Sequence, residues 1–120
     1  MNIEEFRNYC ITKKGVTEEL PFGPDTLVFK VMSKIFALCA LERLPSQVNL
    51  KCDPERSVEL REEHDGFIIP GYHMSKTHWN TLYLDNLPPK LIIELVDLSY
   101  DLVVAKLTQK AKTELNALRL

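Results

Sequence analysis

Cysteine is scarce and scattered in this chain of 120 residues: Cys10, Cys39 and Cys52 are odd in number and form no C-x-x-C pair. That spacing excludes a disulfide framework and a clustered-thiol zinc site, and it suits a reducing cytoplasmic compartment. Long apolar runs are missing too, since none approaches the roughly 18 residues of a membrane span. Met1-Asn2-Ile3-Glu4-Glu5 lacks the basic and then apolar build of a signal peptide. Gly23 and Gly71 stand isolated, so no glycine-rich loop is available to cradle a phosphate. Repeats, low-complexity tracts and Gly/Ser linkers are also lacking, which leaves one domain over residues 1–120. What is present is ordinary globular material, 45% apolar and 27% charged.

A large excess of one charge is the remaining absence. The net charge of −2 and pI near 5.9 argue against an indiscriminate nucleic-acid binder. The average nevertheless hides segregation. Residues 53–65 hold six acids against two arginines, and residues 93–105 hold three acids and no base. Residues 23–52 carry +2 and residues 106–120 carry +3, which permits a locally positive face on an acidic protein.

Along the chain, Asn2 caps a helix that sets Ile3, Phe6 and Cys10 on one side, and Lys13-Lys14-Gly15 ends it. A period-two pattern follows. Pro21-Phe22-Gly23-Pro24-Asp25 is a turn. "TLVFKVMSKIFALCAL" then reads as a hairpin around Met32-Ser33, pairing Val31 with Lys34, Phe29 with Phe36 and Leu27 with Leu38. That register collects Leu27, Phe29, Phe36 and Leu38 on the core side. "QVNLKC" is the next strand, with Val48 and Leu50 inward and Asn49 and Lys51 outward.

Asp53-Pro54-Glu55 starts a helix that runs to about Glu63 and is poor enough in apolar residues to be a solvated surface element. "GFIIPGYHM" is a short strand entering a turn, and "THWNTLYL" is a further strand. From Pro88 onward Leu91, Leu95, Leu98 and Leu102, supported by Ile92, Val96 and Val103, make a broad apolar helical face that should cover the sheet. The last basic stretch either extends this helix or frays. The expected fold class is therefore α+β: an antiparallel sheet flanked on one face by N- and C-terminal helices, with its other face free.

Among candidate chemistries, His64, His73 and His78 are spaced nine and five apart, without an H-E-x-x-H arrangement or a third ligand, so no metal site is expected. No serine sits in a G-x-S-x-G elbow and no cysteine has an evident histidine partner. Neither an enzyme, a catalytic residue nor a cofactor is expected. Surface recognition uses more of the residues. Lys30, Lys34 and Lys51 project from the hairpin and its neighbour. His73, Lys76, His78 and Asn80 supply donors along "PGYHMSKTHWNTLYL", with Trp79, Thr81 and Tyr83 on the opposite side of that strand. Such groups can contact phosphates while the aromatic stacks or wedges. In the blander alternative Trp79 and Tyr83 are core and the lysines only solubilise strand edges.

"PFGPDTLVFKV", "KIFAL", "NLKCDPE", "PGYHM", "HWNT" and "SYDLV" occur in order between about Phe6 and Leu107. In these blocks the chain resembles the MmcQ/YjbR-like family of small bacterial proteins. The resemblance implies a CyaY-like, or frataxin-like, sandwich that binds double-stranded DNA through a double wing of β-hairpins. Lys30, Lys34, Lys51, His73, Lys76, His78, Trp79 and Asn80 match the family blocks and are the candidate nucleic-acid contacts. The family often has glycine at Ser33, asparagine at Ser75 and a basic residue at Thr77, where this chain departs from it.

A cytoplasmic, monomeric DNA-binding module without cofactor or membrane association is the leading expectation. The alternative is a non-enzymatic module that grips a protein or small ligand on the open sheet face. A frataxin-type iron role would want a dense acidic ridge on the first helix, where Glu4 and Glu5 stand with Arg7, Lys13 and Lys14.

Overall fold

Local signals account for most element boundaries. The computed structural model describes residues 1–71 and 75–118. Helix α1 (Ile3–Ile11) opens on a reciprocal capping box, in which Asn2 accepts from the Glu5 N–H and Glu5 accepts from the Asn2 N–H. Helix α2 (Pro54–Glu63) has Asp53 as its N-cap acceptor and proline in its first turn. The strands are β1 (Val16–Glu19), β2 (Thr26–Val31), β3 (Lys34–Ala40), β4 (Gln47–Lys51), β5 (Ile68–Pro70) and β6 (Trp79–Tyr83). A single 3-10 turn (Leu84–Asn86) leads to α3 (Pro89–Ala105) and α4 (Gln109–Ala117).

The strands form one antiparallel sheet in the order β1-β2-β3-β4-β6-β5. β2 and β3 are joined by Met32-Ser33, whose φ values of 47° and 70° are the left-handed pair that matches hairpin twist. The helices give their buried apolar residues to one cluster on one face of this sheet: Phe6 and Cys10 from α1, Leu60 from α2, Ile92, Leu95, Val96 and Val103 from α3, Leu115 from α4. Among the described residues no helix packs on the opposite face. This is the expected α+β arrangement, and among the described residues no helix is long and apolar enough to cross a membrane.

Three sequence expectations need correction. Val31 does pair with Lys34, but the register slips between Phe29 and Lys30, so Phe29 faces Ala37 and Leu27 faces Cys39. The extra residue is Phe36. At this bulge Phe36 and Ala37 both join the core, alternation then places Cys39 inward, and Leu38 turns to the open face. Phe36 thereby enters a chain of edge and tilted aromatic contacts, Phe6–Phe29–Phe36–Tyr100, with centroids 6.2, 6.5 and 5.5 Å apart. Each fully buried phenylalanine contributes roughly 1.5–3 kcal/mol of apolar burial.

The buried stripe of α3 is likewise rotated from the expected leucine row, running through Ile92, Leu95, Val96, Ser99 and Val103. Leu91, Leu98 and Leu102 are only half-buried. Finally, the basic C-terminal stretch neither extends α3 nor frays as a whole. It is broken at Lys106–Thr108, and the Thr108 side chain accepts from the Ala111 N–H to begin α4.

Candidate functional site

The bulge at Phe36 opens the β3–β4 ladder, which pairs only Ala37–Cys39 with Val48–Leu50. A side chain from the helix layer closes the gap. The Ser99 Oγ–H donates to the Phe36 carbonyl at 2.5 Å, and the same oxygen accepts from the Lys51 N–H at 2.9 Å. Beyond this bridge β3 and β4 are no longer paired, and a cleft of about 220 Å³ is lined by Lys34, Ile35, Lys51, Val103 and Lys106.

Three ammonium groups therefore share one small recess whose lining contains no carboxylate. The four ion pairs among the described residues engage other cations: Arg7 with Glu18, Lys13 with Asp97, Lys30 with Glu19 and Arg56 with Glu94. Partial burial, and after it the nearby Lys106 charge, lowers the Lys51 pKa from its ordinary value. Cations held together without a counter-charge repel one another, and a polyanion arriving there would relieve the repulsion.

Lys51 is the cross-strand partner of Trp79, and alternation puts both on the open face with Asn49 and Thr81. Trp79 is half-buried, which lies between the two readings its position allowed. The turn before it is anchored from α2. Arg61 donates to the Lys76 carbonyl at 2.5 Å and through Nε to Asn80 Oδ1 at 2.8 Å, while Asn80 Nδ2 donates to Ser57 Oγ at 3.2 Å. The Cys52 N–H also donates to the His78 carbonyl at 2.8 Å, carrying the β4–β6 ladder one step past Trp79. Gly71 closes the other side, its N–H donating to the Trp79 carbonyl at 2.8 Å. A Cβ there would lie 2.8 Å from the Trp79 Cβ, so the approach requires glycine.

The eight sequence candidates do not all converge. Lys34 and Lys51 share the cleft, and Lys76, His78 and Trp79 lie at the same end of the sheet. Lys30 is on the open face but is held 3.4 Å from Glu19 Oε2. Asn80 is 2% exposed and faces the helix layer with both ends of its amide bonded, so it is a structural group and not a surface donor. His73 lies outside the described residues. Sequence reasoning missed Lys106, Ser99 and Arg61. Lys106 belongs to the positive C-terminal stretch, and Ser57, Leu60 and Arg61 fall at i, i+3 and i+4 on one face of α2, a signal that the helix docks.

Fold and site together define a small α+β module with a helix-backed sheet, an open opposite face and a basic cleft at one end. The YjbR family model matches residues 11–102. The chain is 35% identical over 114 residues to the uncharacterised protein YjbR of Escherichia coli K12, covering 93% of this chain and 95% of that one. It is 40% identical over 91 residues to the uncharacterised protein YbdF of Escherichia coli O157:H7, covering 75% and 74%. Among solved structures, Deinococcus radiodurans protein DR2400, a DUF419 domain, superposes with a TM-score of 0.89 at 40% identity, over 96% of this chain and 88% of that one. A Pseudomonas syringae protein superposes at 0.73 and 30% identity, over 85% and 98%. The chain belongs to the YjbR family.

Proposed function

We propose that this protein binds double-stranded DNA through the basic end of its sheet, as a monomeric binding module without a catalytic step. The observation that carries the reading is the Lys34–Lys51–Lys106 cleft, three cations with no acid in the lining. Lys34 adjoins the tip of the β2–β3 hairpin, and Lys76 belongs to the turn that Arg61 holds beside the cleft. A hairpin and a fixed turn at one end of a sheet can straddle a phosphate backbone, with Trp79 beside Lys51 available for packing on sugar or base. Lys30 contributes less here than the sequence suggested, because Glu19 already offsets its charge.

Fluorescence anisotropy of a labelled mixed-sequence duplex at about 50 and 200 mM salt tests the reading. Four lysine–phosphate contacts give a slope of log affinity against log salt of roughly −3 to −4. The folded Lys34→Glu/Lys51→Glu variant should lose binding. If that variant binds like the parent, or if the parent does not bind at about 50 mM salt, the proposal fails.

A further inference from the structure

The open sheet face has a second recess, which meets the lysine cleft at Ile35 and extends from it toward the loops at the other end of β3. Its volume is about 400 Å³, within the usual range for small-molecule sites. Ile35 and Leu38 supply an apolar floor, the latter because the bulge turned it outward. The walls come from two loops, residues 20–25 and 41–46, tied at their base by the Leu41 N–H donating to the Asp25 carbonyl at 2.9 Å. Each loop holds out a large apolar side chain: Phe22, which lines the recess, is 67% exposed and Leu44 is 85% exposed. The uncovered Phe22 ring beside the apolar floor is a surface that a ligand's hydrocarbon would dehydrate.

The polar groups in this recess include one amide that presents a donor and one that presents an acceptor, Gln47, whose Nε2 donates to the Pro45 carbonyl at 3.4 Å. Thr81 Oγ1–H donates to Asn49 Oδ1 at 2.6 Å, which occupies the amide oxygen and turns Asn49 Nδ2, a donor only, to the opposite side. Arg43 is the one charged residue in the lining, and no carboxylate pairs with it among the described residues. One guanidinium without a carboxylate partner among the described residues, over an apolar floor, is complementary to a small amphipathic anion. At about 30 Å³ per water-sized volume the recess holds roughly a dozen non-hydrogen atoms.

We infer that the loop end of the open face is a binding site for a small amphipathic carboxylate, with its apolar body on Ile35 and Leu38 and its anionic group at Arg43. The volume and the single guanidinium favour one small molecule over a polypeptide strand, which would seek a sheet edge for main-chain pairing. The site shares only Ile35 with the lysine cleft, and the inference does not depend on DNA binding.

The test is an amide ¹H–¹⁵N titration of the full chain with octanoate, with 1-octanol as the uncharged counterpart. Two variants accompany it: Arg43→Gln, and Ala40→Phe, which fills the recess. Octanoate should produce saturable shifts clustered at Thr26, Ile35, Gln47, Asn49 and Thr81. Arg43→Gln should weaken octanoate roughly tenfold or more while changing octanol little, since it removes only the charge-assisted contact. Ala40→Phe, checked as folded by its own spectrum, should abolish both while leaving duplex anisotropy as in the parent. Shifts that are absent, that centre on Lys34, Lys51 and Lys106, or that persist unchanged in both variants would overturn the assignment.

Discussion

Replacing Ser99 with alanine removes one oxygen and should cost this fold more than most single-atom changes. Ser99 is 0% exposed, and its hydroxyl serves the Phe36 carbonyl and the Lys51 N–H, which the bulge has left without a ladder partner. Deleting it orphans an acceptor and a donor together, at about 1–3 kcal/mol each before relaxation. Allowing the strands to settle toward each other, the expected loss is about 2–4 kcal/mol, out of the 5–15 kcal/mol typical of a domain. For a chain of this size that lowers Tm by roughly 8–15 °C. Ser57→Ala is the comparison, because it removes the acceptor of one Asn80 bond and a weak contact with the Cys52 thiol, and should cost about 1 kcal/mol. Urea unfolding followed by Trp79 fluorescence measures both, and amide exchange at Lys51 reports the local opening. A Ser99→Ala loss below about 0.5 kcal/mol with an unchanged m-value would show that the bridge does not hold the strands together.

Three further outcomes are expected. Ser33→Gly should raise stability by about 1 kcal/mol in urea melts, because Ser33 sits at φ 70° where a Cβ is penalised; a loss would show that its side chain contributes something the turn needs. Burial raises the Cys10 thiol, with Cys39 adding to it, and burial pushes Cys39 up to about 12, with Glu18 a smaller cause. The folded state therefore keeps protons that the unfolded chain releases above pH ~9. The thiols' contribution to stability should be constant below that pH and then fall by about 1.4 kcal/mol per pH unit for each thiol, Cys39's share levelling off near its folded value; an identical slope in Cys39→Ala would contradict this. Lys51→Met should raise Tm by about 1–3 °C by removing a crowded cation, yet weaken duplex binding severalfold; a lower Tm would mean that the lysine cluster is not repulsive.

What could be read without a structure is what neighbouring residues decide between themselves. Asn2 with Glu5, and Asp53 with Pro54, specify helix starts through bonds spanning three residues. Met32-Ser33 sets the hairpin, and alternation assigns Asn49 and Lys51 to the face away from Val48 and Leu50. The family blocks, the α+β class and the basic character of residues 23–52 were likewise on the page. Tertiary structure decided the rest, because it depends on groups far apart in the chain.

The bulge at Phe36 is invisible to a period-two reading, since its spare carbonyl is tolerable only where Ser99 arrives 63 residues later to bond it. Alternation separates His78 and Asn80 from Trp79 and Thr81, but it does not say which set is buried. Docking of α2 through Ser57 and Arg61 makes Asn80 the inward one. The lysine cleft needs Lys106 to come up beside Lys34 and Lys51, and the Arg43 recess needs the bulge to present Leu38. Sequence alone specified the elements, α4 excepted, and their charges; the packing of α3 into a broken ladder determined which charges meet.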